Sequence, residues 1–585
     1  LQWDGGDRTV WAHLWAYQVP ALLRNTTVLL FGVGFGVLLL GISWAWLVSC
    51  DELPLRGVVR WLVMLPMAMP AYVLAFALLG VFDYSGGVQT YLRTHGVDAS
   101  AWLDLRSDWG VVLVLSLALY PYVYLLAQEG FAHLGVRVQE VGQSLGLSPW
   151  QSFWRVVLPS TRPWWMGGLG LALMETLADF GTVSTLGFDT FTTAIYKAWF
   201  ALFSFQSAQQ LASLMIVLVF ALLWLELRAR GHRRYQALGR TAPIVRQKLS
   251  FWGQVGVSVW LWGILSLACF VPVAQLLVWV GAQTQLNWAR VGSLLGQSLL
   301  LGVLAALVVV LLASMLAYAR RYAHLRGQSV LVQIATLGYA VPGSILAVAF
   351  FTPMVFMDRM LLNLGWLDAG DVLFRGSLVA LLLAYATRFL AVAHASVESG
   401  LQRMGRHHEE VAQSLGVAGF ALWRRVHWPL LYSSLLTAGL MVAVDVMKEM
   451  PMTLMARPTG WDTLATQIFA YTSEGDWHNA ALPSLLLVLI GLIPVGLLAW
   501  QVGRRVGGWR VGWEMLSWRC VTLRWIMGIR HITEGKTRAT SCCRICLCSW
   551  RKGKSVACSV HPAAVSPRCC AQLPDLSPLA RGRLS

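Results

Sequence analysis

Two acidic pairs stand inside long apolar runs of this sequence, where ionisable side chains are costly and mark functional sites by default. The first pair is Glu175 and Asp179. The second is Asp445 and Glu449, with Lys448 between them. Spacing i, i+4 puts each pair on one helix face. The second pair repeats the first at an offset of 270 residues, and the helix breakers Gly181 and Pro451 follow at the same offset. Two chemistries suit such residues. In one they border a translocation pathway, an acidic and water-accessible lining that attracts a hard cation. In the other they tie helices together, Lys448 neutralising one carboxylate while neighbours hydrogen-bond the rest. The two are compatible, since a gate could use such pairs. Arg388, also in an apolar run, reads as a snorkelling or pairing residue near one membrane face.

The elements that must position these groups follow from composition. Of 585 residues 57% are hydrophobic and only 12% charged, about half the roughly 25% of soluble domains. With a mean hydropathy of +0.60, a soluble chain of this kind could not cover its apolar surface. The formal net charge of +17 would otherwise suggest nucleic acid. Runs of roughly 20 apolar residues, each long enough to span a bilayer, occur near 26–49, 58–81, 110–130, 164–186, 211–227, 253–281, 293–318, 330–355, 376–397, 430–455 and 482–502. The fold class is therefore all-α polytopic membrane protein, with the lipid bilayer as its solvent.

Alternate loops differ in charge. The set 50–57, 131–163, 228–250, 319–329, 398–429 and 503–514 holds 21 Lys/Arg and 7 Asp/Glu, against 9 and 13 in the other set. The positive-inside rule makes the first set cytoplasmic, along with the C-terminus. The tail 515–585 carries 12 Lys/Arg and 2 Asp/Glu, so the net charge divides into a topology signal and an anomalous tail. No nucleic acid is needed to explain it. The odd span count leaves the N-terminus outside, and a first helix missing from this chain is the expectation that follows.

An internal repeat organises the spans. EVGQSLGLSPWQSFWRVVLP at 140–159 and EVAQSLGVAGFALWRRVHWP at 410–429 are identical at nine of twenty positions, offset by 270. Pro70 and Pro342 form a weaker echo, as do GFDTFTTAIY (187–196) and GWDTLATQIF (460–469). Both long copies lie in cytoplasmic loops, so the halves have the same orientation, a parallel repeat. The expected domains are 1–227, a first repeat truncated at its N-terminus; 228–250, a basic cytoplasmic linker; 251–514, a second repeat; and 515–585, a Cys-rich basic tail, non-native or disordered. Restoring the missing helix would give two parallel-related halves of about six transmembrane helices each.

Each repeated loop reads as a short amphipathic helix, a glycine turn that permits positive φ, and a second short helix ending at Pro159 or Pro429. Two like helical knuckles facing the cytosol suit a partner with two equivalent sockets. This pattern of glutamate, glycine and proline, carried by Glu140, Gly146 and Pro159 and again by Glu410, Gly416 and Pro429, resembles the EAA loop of type I ABC importer permeases. The third position of that motif, alanine in many members, is Gly142 in the first copy and Ala412 in the second. The strings ADFGTVSTLGFDTFTTAIY and KEMPMTLMARPTGWDTLATQIF resemble the fused permeases of iron(III) importers, and the resemblance covers roughly residues 10–510.

The resemblance implies a permease in the bacterial cytoplasmic (inner) membrane, coupled through these loops to two ATP-binding cassette subunits and served by an extracytoplasmic binding protein. It implies no catalytic residue, no metal site and no cofactor on this chain, with ATP bound by the partner subunits. The same superfamily also imports thiamine, sulfate and polyamines. Twelve helices in two parallel halves describe secondary transporters as well.

Other motifs carry less. A phosphate-binding loop would need G-x-x-x-x-G-K-[ST]; Gly535-Lys536-Thr537 has Arg530 at the first glycine position. Asp179-Phe180-Gly181 matches the kinase magnesium triplet without the other kinase motifs. His407-His408-Glu409-Glu410 reads as a solvated helix start rather than a ligand set. Cys50 and Cys269 read as packing residues. The other eight cysteines fall after residue 515, where Cys543, Cys546 and His561 hint at zinc without a second well-spaced pair.

Overall fold

A computed structural model describes residues 8–50, 56–98, 100, 103–132, 136–230, 250–283, 287–322, 327–366, 368 and 373–505. The linker interior 231–249, the tail 515–585 with its eight cysteines, and Gly535-Lys536-Thr537 lie outside the described residues. The described residues are helical with no strand among them, and they belong to one compact unit.

The helices that matter below are α1 Val19–Cys50, α2 Ala71–Phe82, α3 Asp108–Gly130, α4 Val136–Ser144, α5 Arg162–Ala178, α6 Gly181–Thr185, α7 Phe205–Arg230, α8 Phe251–Leu265, α9 Val271–Ala282, α10 Trp288–Tyr322, α11 Gly343–Asn363, α12 Leu378–Arg403, α13 Arg406–Ser414, α14 Trp428–Lys448, α15 Pro451–Ala456, α16 Leu464–Ser473 and α17 Trp477–Arg505. Three helices of the first half, α1, α3 and α5, pack on one another, and their repeat counterparts α10, α12 and α14 do the same. Other helices cross between these triplets: α9 and α17 pack on 65–82, and α11 packs on α7. The largest buried apolar cluster accordingly draws on both halves, from Leu29 and Tyr120 to Leu464 and Val495.

Ten helices among the described residues are long and apolar enough to cross a membrane, against eleven expected runs. The difference is 164–186. Here α5 has 17 residues, about 26 Å at 1.5 Å per residue, short of a roughly 30 Å hydrocarbon core. It begins after a turn at Thr161 (φ −93°, ψ 6°). Pro163 follows that turn; its repeat counterpart is Ser433, and there the helix continues unbroken from Gly419 to Lys448.

Two further expected runs are discontinuous. Arg56–Leu62 and Leu65–Ala68 precede α2, and Gln328–Thr336 and Leu337–Ala340 precede α11. In both cases the break falls at the echoed proline: Pro70 and Pro342 sit at extended ψ of 142° and 144° as the N-caps of α2 and α11. A proline fixes φ and lacks an N–H, so it opens a helix readily and sits badly inside one.

The repeated loops fold largely as expected. Short helices α4 and α13 lead into turns where Gly146 and Gly416 adopt φ of +83° and +78°. The second knuckle does not end at its proline, however. Pro159 and Pro429 follow π-helical turns, Phe153–Val157 and Trp423–His427, and the chain continues in helix. The wider turn relieves the clash between the proline ring and the carbonyl four residues back. The π-helical turns at 14–18 and 266–270 are likewise followed by Pro20 and Pro272.

Candidate functional site

The breaks converge. A cavity of 360 Å3 is lined by Glu175, Asp179, Asp445, Lys448 and Glu449 together, with Met67, residues 69–72, Tyr122, Tyr339 and Arg388 around them. All five intramembrane residues singled out by the repeat thus share one space, lined from both halves.

The pairs do not sit in their helices as i, i+4 spacing suggests. Asp179 and Glu449 are one residue past the ends of α5 and α14, with extended ψ of 130° and 118°. Gly181 and Pro451 follow, opening the short helices α6 and α15. Each freed carboxylate caps the next helix. Asp179 accepts from the Val183 N–H at 3.1 Å and the Thr182 hydroxyl at 2.9 Å; Glu449 accepts from the Met452 N–H at 3.3 Å. Both carboxylates are thus engaged by the short helices that follow them.

Glu175 and Asp445, one turn earlier, remain on the helices and face the cavity. The Tyr339 hydroxyl donates to Glu175 at 2.9 Å, which links α5 to the broken segment before α11. Asp445 lies one helical turn before Lys448, on the same lining.

The two cations have a shared logic. Lys448 donates to the carbonyl of Met67 at 3.2 Å, and Arg388 to the carbonyl of Val341 at 3.2 Å. Met67 and Val341 lie in the discontinuities before Pro70 and Pro342, where carbonyls lose their helical partners and must find others. Cations there also meet the negative ends of short helices. Arg388 further forms an ion pair with Glu449 at 3.4 Å, both side chains 7% exposed. Pairing, not snorkelling, is therefore its role, deep in the cavity wall. Gly343 makes the pair possible, because a Cβ there would collide with Glu449 Oε1 and lie 3.2 Å from Arg388 Nη1.

Four carboxylates against two cations give the lining a formal charge of −2. Among the described residues no group of three or more His, Cys, Asp and Glu is placed to hold a metal ion. A net negative lining favours a cation over an anion in this cavity.

At the repeated loops, Glu140 and Glu410 are exposed. Gly142 is explained by its neighbour: a Cβ would collide with Ser152 Oγ, whose hydroxyl donates to the Gln139 carbonyl at 3.1 Å. The second copy has Ala412 against a helix carrying Leu422 at the position of Ser152. The solvated reading of 407–410 is corrected at Glu409, which is 7% exposed, while His407 pairs with Glu410 at the surface. Sequence reasoning also missed Tyr72, Tyr122 and Tyr339, which are unremarkable in apolar runs until the breaks bring them to the cavity.

Comparison with known proteins agrees with this architecture. Residues 37–228 match the family described as the binding-protein-dependent transport system inner membrane component. An Fe(3+)-transport system permease of Haemophilus influenzae is 26% identical over 491 residues, 82% of this chain and 90% of that protein. A ferric transport system permease of Actinobacillus pleuropneumoniae is 21% identical over 75% of this chain and 65% of its own length. A sulfate transport system permease of Escherichia coli is 28% identical over 178 residues, 30% of this chain and 62% of that protein. Residues 37–228 thus resemble the binding-protein-dependent inner membrane permease family, and the chain as a whole resembles the ABC importer permeases of the iron(III) kind.

Proposed function

We propose that this chain is the permease of an ATP-driven importer of ferric iron in a bacterial inner membrane, with its C-terminus in the cytosol. Two ATPase subunits dock on the loops carrying Glu140, Gly146 and Pro159 and Glu410, Gly416 and Pro429. A binding protein delivers cargo to the opposite face. ATP is hydrolysed by the partners, and this chain contributes no catalytic group and binds no cofactor. Movement of the loops switches the two halves, residues 1–227 and 251–514, between inward and outward access.

The observation that carries the reading is the shared acidic cavity at the junction of two repeat-related helix pairs. Alternating access in parallel repeats places the pathway where the halves meet. The similarity to ferric permeases runs through both halves, whereas that to the sulfate permease covers about a third of the chain. A net negative lining also favours a cation over sulfate. Reconstitution of the chain with its ATPases and binding protein in proteoliposomes tests this. Ferric uptake should require ATP and exceed sulfate uptake at least tenfold; uptake driven by a proton gradient without ATP would place the chain among secondary transporters instead.

A further inference from the structure

The two cytoplasmic loops are built alike in sequence but anchored differently. Beneath the second loop lies a buried polar cluster. Arg321, in the last turn of α10, forms an ion pair with Glu409 of α13 at 2.6 Å, the side chains 13% and 9% exposed. The same guanidinium donates to the carbonyls of Leu401 and Met404 at 2.6 and 3.0 Å, where α12 ends. Glu409 also approaches His427 Nε2 at 3.6 Å, and His427 Nδ1 shares a hydrogen bond of 3.1 Å with the Tyr318 hydroxyl, back on α10. One carboxylate on the loop helix thereby ties α10, the end of α12 and the start of the 419–448 helix to α13.

None of these four side chains is repeated in the first copy. At the offset of 270, Tyr318, Arg321, Glu409 and His427 correspond to Val48, Asp51, Gln139 and Val157. Val48 and Val157 are fully buried. Among the described residues the first base carries an aromatic cluster, in which Trp46 packs on Phe131 and Phe153 with ring centroids 5.4 and 4.8 Å apart, and Arg56 donates to the Val48 carbonyl. Apolar contact is non-directional, so it holds two helices together without fixing how one turns against the other. A buried ion pair in low dielectric is costly to break or stretch, so it moves its partners as a body.

We propose that Glu409 is a positioning residue that transmits motion of the second loop directly into α10, α12 and α14, through a link that the residues at the corresponding positions of the first loop cannot make. This rests on the coupling role assigned above to the loops. The test is amide hydrogen exchange of the full chain assembled with its ATPase subunits, with and without ATP. In the unsubstituted complex, ATP should alter protection in α4 and α13 and, on the second side, in the last turns of α12. Glu409→Gln should keep the change in α13 and reduce that in α12 at least fivefold. The counterpart Gln139→Leu should leave the response of α3 within twofold. Should Glu409→Gln fail to assemble, Glu409→Gln with Arg321→Met removes both charges and avoids an orphaned ion; the same loss at α12 is expected. An α12 response retained in either variant, or equal losses from the two loops, overturns the proposal. No response to ATP in α4 and α13 of the unsubstituted complex would instead refute the coupling role itself.

Discussion

The Arg388–Glu449 pair should show strong energetic coupling. Both side chains are 7% exposed and 3.4 Å apart, so little water replaces a lost partner. Removing one member of such a pair typically costs about 3–5 kcal/mol, because the other charge stays buried. Arg388→Met also abandons the Val341 carbonyl, adding about 1–3 kcal/mol for an unsatisfied acceptor. Glu449→Gln keeps an acceptor for the Met452 N–H but strands the guanidinium. The double variant has no stranded charge, and buried pairs replaced by neutral groups are often tolerated. The double variant should therefore be more stable than Arg388→Met alone, with an interaction energy of about 2–3 kcal/mol, near the upper end for residues in contact. Reversible unfolding in mixed micelles, followed by tryptophan fluorescence, gives the three differences. Additivity within about 0.5 kcal/mol would refute the pairing and the argument that Gly343 exists to admit it.

Three further outcomes follow from particular residues. Gly416→Ala should destabilise by about 1 kcal/mol through backbone strain alone, since φ is +78° and the space around its Cβ is open; Gly146→Ala should match it, and Asn, which tolerates this conformation, should cost less at both sites in the same unfolding assay. Gly181→Ala should cost about 1–3 kcal/mol by overpacking, because its Cβ would collide with Met450 Cε and lie 2.7 Å from Tyr72 Cβ; a neutral result would mean the halves are not in close contact here. Gly142→Ala should cost more than Ala412→Gly, and Ser152→Ala should relieve part of that cost, read from thermal denaturation of the three variants and the Gly142→Ala/Ser152→Ala combination.

Much of this site was legible in the sequence because the chain states it twice. A repeated carboxylate pair and a repeated breaker at one offset identify a junction, whatever the helices do in detail. What the spacing could not convey is that Asp179 and Glu449 leave their helices. An i, i+4 pattern assumes continuity, and the breaker acts two residues before its own position. The discontinuities at Pro70 and Pro342 were hidden for a related reason: apolar runs read as single spans, yet their interrupted carbonyls need donors. Arg388 and Lys448 supply them across about 50 and 380 residues of chain, a relation no local pattern carries. The aromatic base of the first loop and the charged base of the second also escaped notice, since they differ just where the repeat stops matching. The capping bonds of Asp179 and Glu449 give both positions a structural role as well.

Glu175 and Asp445 cap no helix, and they test the central claim most directly. Glu175→Gln with Asp445→Asn preserves size while taking the formal lining charge from −2 to zero. In the reconstituted transporter, ATP-dependent ferric uptake should fall at least tenfold, with ATPase assembly and ATP hydrolysis retained. Ferric uptake at the unsubstituted rate, with the same assembly, would contradict the account and leave the cavity charges as scaffolding alone.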